Sequence, residues 1–154
     1  TLAAQQNCAA LAATQLGVDL CITVINHSIV MDGFISCSAL DGSASDFISQ
    51  DNPRPLCLIN PTIISRSADM VNEAEGCMSV GGDIRERVKR NRQVSCEFLS
   101  DENEKLIVVA DGFLSRCIQH ELDHLQGKLF IDNLSPLKRK LVDRKFLKRT
   151  KQKS

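Results

Sequence analysis

Gln119-His120-Glu121-Leu122-Asp123-His124 is the stretch on which the reading of this chain turns. The residues from Asp111 to Leu125 repeat their apolar positions at helical spacing, and Gly127 stands where a helix stops in the left-handed conformation. On that helix His120 and His124 lie one turn apart on one face, so both can point a nitrogen at a single ion. Glu121, next to the first of them, can reach a water on that ion without ligating it. Leu114, Ile118, Leu122 and Leu125 form an apolar stripe, with Phe113 beside it, while Cys117, His120, Glu121 and His124 share the other side. Little of such a helix is left for water, and two imidazoles and a carboxylate buried together need a partner. A third protein ligand is required. Downstream only Asp132 and Asp143 are available; upstream, Cys77 stands at a glycine-flanked turn, Glu75-Gly76-Cys77-Met78-Ser79, with Gly81 and Gly82 beyond. A His-His-Cys set holds one divalent metal and favours Fe(II), Zn, Ni or Co over Mg or Ca.

Outward from this helix the chain reads as one domain of 154 residues. Leu20 to Asn26, Leu56 to Ser65, Val94 to Leu99 and Leu106 to Ala110 are strand candidates, the last two forming a hairpin across Asp101-Glu102-Asn103. Asp32 to Pro55, dense in Ser, Asp, Gly and Pro, reads as a long polar loop that can carry short strands. Thr1 to Gln15, rich in Ala, Leu and Gln, reads as a helix stopped by Gly17, and Pro136 opens a last helix. The order predicts an α+β fold: antiparallel or mixed β-sheets packed around a central helix carrying HExxH, with a C-terminal helix. Residues 1–135 are read as a metal-dependent catalytic domain and 136–154 as a basic C-terminal helix and tail of the same domain. The chain opens on Thr1 rather than Met, which points to a segment preceding it.

The formal net charge is zero, from 19 basic and 19 acidic residues. Residues 136–154 hold nine of the basic ones and one acid, so a tail of +8 balances a body of −8. That excludes a basic nucleic-acid-coating protein and a highly charged disordered chain. No apolar run approaches the roughly 20 residues of a membrane helix, and nothing resembles a signal peptide. Seven cysteines, an odd number without CxxC spacing, argue for a reducing compartment, the cytoplasm or an organelle, and against a disulfide framework. Cys21, Cys57 and Cys96 lie in apolar strand-like runs and read as buried small hydrophobes.

Three ordered motifs resemble those of the peptide deformylase family. Glu75-Gly76-Cys77-Met78-Ser79 matches EGCLS with a Leu-to-Met change, Gln119 to His124 matches QHExDH, and Leu11-Ala12-Ala13-Thr14-Gln15 matches the end of GxGLAAxQ. Ile59-Asn60-Pro61, Gly127-Lys128-Leu129-Phe130 and Leu134-Ser135-Pro136 agree outside the motifs, so the likeness runs along essentially the whole chain. The resemblance implies hydrolysis of the N-formyl group of formyl-methionine on nascent polypeptides, with release of formate. It implies one divalent metal per chain, natively Fe(II) and replaceable by Zn, Ni or Co, on Cys77, His120 and His124. Glu121 would be the general base towards metal-activated water, and Gln15 with the Met78 backbone N–H would hold the oxyanion. The methionine pocket would be built from Phe113, Cys117 and His120, with Ala9 and Ala10 opposite and Arg116 near its mouth. It also implies a bacterial-type cytoplasmic protein whose basic C-terminal helix meets the ribosome, and no membrane partner.

The match departs in places. The two motif glycines are Cys8 and Ala10 here, and a methyl at Ala10 narrows the groove. After Ser79 the stretch Gly81-Gly82-Asp83-Ile84-Arg85 is one residue longer than the family pattern, leaving Arg85 or Arg87 to pair with Glu75. Only seven residues precede the first motif, against some forty in the family. Two further readings therefore stand beside the deformylase: another HExxH metallopeptidase, or a deformylase-like metalloprotein with weak or altered activity.

Overall fold

In the computed structural model, residues 8–49 and 54–153 are described, the last four of these by their backbone alone. The strands are β1 (Ala10–Ala12), β2 (Ile22–Ile25), β3 (Phe34–Ala39), β4 (Leu56–Arg66), β5 (Met70–Gly76), β6 (Arg85–Asn91), β7 (Gln93–Leu99) and β8 (Lys105–Asp111). The helices are α1 (His27–Met31), α2 (Gly112–Leu125) and α3 (Pro136–Lys153), with short 3₁₀ turns at Ala13–Leu16, Met78–Val80 and Phe130–Asn133. Six strands form one sheet in the order β1-β2-β4-β7-β8-β3, while β5 and β6 make a separate ribbon, and every named pairing is antiparallel. The fold is α+β, as the order of elements predicts.

Alternation builds the sheet. In β7, Val94, Cys96 and Phe98 turn inward, and in β8 Leu106, Val108 and Ala110 do, because successive side chains of a strand point to opposite faces. Helix α2 lays Leu114, Ile118 and Leu122 onto that face, closing a first core. A second core gathers Val80, Ile84, Val88, Phe130, Ile131 and Val142 around the ribbon, and Cys77 belongs to it. The functional residues stand on the seam: α2 faces the first core with its leucines and the second with its histidines, where the His120 ring stacks on Phe130 at 6.1 Å.

Several expectations are corrected. Residues 8–12 are not helix. Ala10–Ala12 pair with β2 and only Ala13–Leu16 turn helically, although Gly17 does stop the turn, at φ +74°; Thr1 to Asn7 lie outside the described residues. Strand pairing at the sheet edge overrides the helix propensity of Ala and Leu. The polar stretch after Asp32 carries β3, and its residues 50–53 lie outside the described residues. Strands β5 and β6 go unseen in the sequence reading. Of the three cysteines read as buried, only Cys96 is; Cys21 is exposed and Cys57 half-buried, since Leu56 and Leu58 take the inward positions of β4. Leu125 is half-buried at the end of its stripe. No helix among the described residues is long and apolar enough to cross a membrane.

Candidate metal centre

Cys77 follows the last residue of β5 and caps the 3₁₀ turn Met78–Val80, which Gly81 closes at φ +93°. This turn carries the thiol to α2. Cys77 Sγ lies 3.2 Å from His124 Nε2, which lies 3.2 Å from His120 Nε2, and the three ligand atoms all fall within 4.8 Å of one another. Such spacings match donors that share one ion at bonds of about 2.0–2.3 Å. His120 presents Nε2 because its Nδ1 is engaged 2.9 Å away by Glu75 Oε2, the kind of outer partner that fixes a ligand ring. One thiolate and two imidazoles, buried together, fit a borderline divalent cation rather than a hard one.

The carboxylate that holds His120 is itself held. Arg90, buried, donates from Nε and Nη2 to Glu75 at 2.9 and 3.0 Å, and from Nη1 to Asp123 Oδ2 at 2.7 Å. This corrects the expected brace, Arg85 or Arg87. Glu75 pairs across the ribbon with Glu86, so residues 86, 88 and 90 share its face and 85, 87 and 89 take the other. Arg87 instead donates to the Asn72 carbonyl. Gln119 is a second brace that motif matching leaves without a task. Its Oε1 accepts from Asn91 N at 3.1 Å and its Nε2 donates to Asn91 O at 2.9 Å, fixing α2 against the turn between β6 and β7. A buried amide in a helix carrying HExxH is the signal that could have found it.

The electrostatics follow from burial and partners. Burial pushes Glu121 up to about 7 against the pull of the two imidazoles, and its Oε2 is 3.5 Å from the Thr23 hydroxyl. Burial would also raise the Cys77 thiol, but hydrogen bonds with His120 and His124 outweigh it and bring it down to about 5. Burial disfavours the charged form of Glu75, yet His120 and Arg90 hold it down at about 2. For His120, burial is outweighed by Cys77 and Glu75, which raise it to about 10.

A cavity of about 230 Å³ opens onto these groups and is lined by Ala9, Ala10, Phe113, Cys117, His120 and Glu121, together with Gln15, Cys77 and Met78. Of the residues expected at the site, all but His124 line this space; His124 stands behind them, its Nε2 against Cys77 Sγ and His120 Nε2. Gln15 accepts from Ala12 N–H through Oε1 at 2.9 Å, and its Nε2 points inward, 3.1 Å from Ser79 Oγ and 3.7 Å from Cys77 Sγ. Cys8, at a motif-glycine position, lines the same space and donates its S–H to Ala10 O at 3.0 Å. The Arg116 guanidinium lies over the Phe113 ring, 5.0 Å from its centroid.

A family model described as polypeptide deformylase matches residues 1–140. Peptide deformylase 1 of Coxiella burnetii is 40% identical over 149 residues, which cover 97% of this chain and 76% of that protein. The chain spans 61% and 62% of the length of the next two curated relatives. Among solved structures, a peptide deformylase from Ehrlichia chaffeensis superposes with a TM-score of 0.73 at 30% identity, covering 94% of this chain and 75% of that one. A peptide deformylase from Acinetobacter baumannii, solved with Met-Ala-Ser bound, gives 0.62 at 26% identity, covering 83% and 71%.

Proposed function

The chain belongs to the polypeptide deformylase family, and from that premise we propose that it hydrolyses the N-formyl group of formyl-methionine on nascent polypeptides, releasing formate. The observation that carries this reading is the meeting of the Cys77, His120 and His124 donor atoms beside a cavity that Cys77, His120 and Glu121 line. Cys77, His120 and His124 would hold one divalent cation, natively Fe(II), with Zn, Ni or Co able to take its place. Bound there, a divalent cation acts as a Lewis acid, activating water and polarising the formyl carbonyl. Glu121, buried and held near 7, accepts the proton of the attacking water and returns it to the methionine nitrogen as the C–N bond breaks. The Gln15 amide and the Met78 N–H stabilise the oxygen on which negative charge gathers. Ala9, Ala10, Phe113 and Cys117 enclose the methionine side chain, a role supported by their place on the cavity wall.

Formate release from formyl-Met-Ala-Ser by the metal-loaded protein tests the proposal. Glu121→Gln should lower the rate by about 10²–10⁴-fold. Peptide-bond cleavage without formate would instead identify another metallopeptidase. Metal binding with neither product would identify a deformylase-like protein whose groove is altered at Cys8 and Ala10.

Residues 1–135 are taken as the catalytic unit and 136–154 as a basic helix of the same domain, supported by Val142, whose side chain is buried in the second core. Lys138, Lys140, Arg144 and Lys148 are exposed on α3, which supports contact with the RNA of the ribosome in a cytoplasmic setting. Arg139, Lys145 and Arg149 pair with Asp132, Glu86 and Asp83 and are partly spent within the chain; Lys151 and Lys153 have side chains outside the described residues.

A further inference from the structure

The cavity holds two cations that the reaction does not use. Arg85 and Arg116 both line it, and neither has a carboxylate within ion-pair distance among the described residues, whereas Arg90, Arg139 and Arg149 all do. Arg116 leaves α2 half-buried, its guanidinium resting on Phe113. Arg85 reaches the opposite wall by lying across Gly76: a Cβ built at that glycine would stand 3.2 Å from Arg85 Cγ and 3.4 Å from Nη1. Gly76 thus lets the exposed Arg85 side chain lie against the strand edge beside Cys77. The acids of the cavity do not cancel this charge, since Glu75 is bound to Arg90 and His120, and Glu121 is buried at the closed end.

We propose that Arg85 and Arg116 form a cationic mouth that selects formylated peptides carrying an acidic side chain just after the methionine over those carrying a lysine. This rests on the deformylase reading, which directs the formyl group towards Glu121 and leads the rest of the peptide out past both arginines. Guanidinium groups pair with carboxylates in two-point geometry and repel ammonium groups, and a cleft lined with one sign of charge concentrates substrates of the other. Because both arginines touch solvent, the preference is moderate and screened by salt.

The test compares kcat/KM for formyl-Met-Glu-Ala, formyl-Met-Gln-Ala and formyl-Met-Lys-Ala at low salt and at about 0.5 M salt. The Glu peptide should exceed the Lys peptide by about tenfold at low salt, with the Gln peptide between, and the ratio should shrink towards one as salt rises. In the double variant Arg85→Gln, Arg116→Gln the ratio should fall towards one at low salt. A ratio near or below one in the unaltered protein, or an undiminished ratio in the double variant, overturns the proposal. Calorimetric binding of Met-Glu-Ala and Met-Lys-Ala to the metal-loaded protein reads the same preference without turnover. Absence of formate from all three peptides would therefore count against the deformylase reading, while the binding ratio still decides the cationic mouth.

Discussion

Helices α2 and α3 differ more than their lengths suggest. In α2, eight of 14 residues are buried, among them Ser115, Gln119, Glu121 and His124. In α3, an 18-residue helix, Val142 is the one described residue that is fully buried, while Leu137 and Leu141 stand 71% and 45% exposed. Every turn of α2 is fixed from two sides, by leucines on the sheet and by polar partners on the ribbon. Helix α3 is pinned mainly by Val142 and by ion pairs at the surface, which stabilise little. Precision at the metal centre comes from the first arrangement, and the second leaves a charged face open to the surroundings.

The comparison breaks first in the chemistry. Glu121→Gln should leave the thermal transition within a few degrees of the unaltered protein while formate release falls by about 10²–10⁴-fold; equal losses of stability and activity would mean that Glu121 serves the fold. The next largest effect is expected at the polar brace. Arg90→Met leaves the buried Glu75 and the half-buried Asp123 without their cation and should cost about 3–5 kcal/mol in denaturant unfolding. The same variant should weaken metal affinity by about 10–100-fold through the loosened His120, measured by competition with a chelator. On α3 the matching change, Lys138→Met, should be neutral in both measurements.

Apolar truncations sharpen the contrast. Ile118→Ala removes a side chain with no exposed surface and should cost about 2–5 kcal/mol, whereas Leu137→Ala should stay within about 0.5 kcal/mol. Comparable costs would mean that α3 is packed as firmly as α2. A smaller effect lies in the sheet beneath α2. Burial holds the Cys96 thiol up at about 12, from 9.0, so above pH 9 the unfolded chain loses that proton before the folded one. This contribution is intact below pH 9 and is lost as pH rises towards 12, by at most about 1.4 kcal/mol per pH unit. Cys96→Ala should flatten the alkaline limb of the stability profile. Finally, replacing Lys138, Lys140, Arg144 and Lys148 together by Gln should leave unfolding unchanged while reducing salt-sensitive retention on ribosomes in a pelleting experiment. Equal retention of both proteins would remove ribosome contact from the account of α3.

What the sequence disclosed follows the same division. Helix α2 was legible because its apolar period, its two histidines and Gly127 all agree, and β7 and β8 because their alternation is strict. The ribbon was not. Arg85-Glu86-Arg87-Val88-Lys89-Arg90 shows charge at nearly every position, and only its pairing with β5 reveals that 86, 88 and 90 face inward. The brace on Glu75 was misassigned for the same reason, since register decides which arginine arrives. The Ala-rich stretch at β1 misled because its strand state depends on β2 and on the groove, not on its own composition. The mutual placement of Cys77, His120 and His124 was accessible only because side chains of those types have few other reasons to be buried together.

The Thr14 hydroxyl donates to the His124 carbonyl at 3.1 Å, a contact between residues 110 positions apart. At elongation rates of about 5–20 residues per second, that separation is a delay of roughly 5–20 s during synthesis. Throughout that interval the turn bearing Gln15 has β2 beside β1 and later Ser79 as a partner, but lacks the helix that receives Thr14, which is among the last elements to emerge. The Gln15 turn and α2 therefore meet late, and the cavity they line closes in a final step rather than growing outward from a finished half.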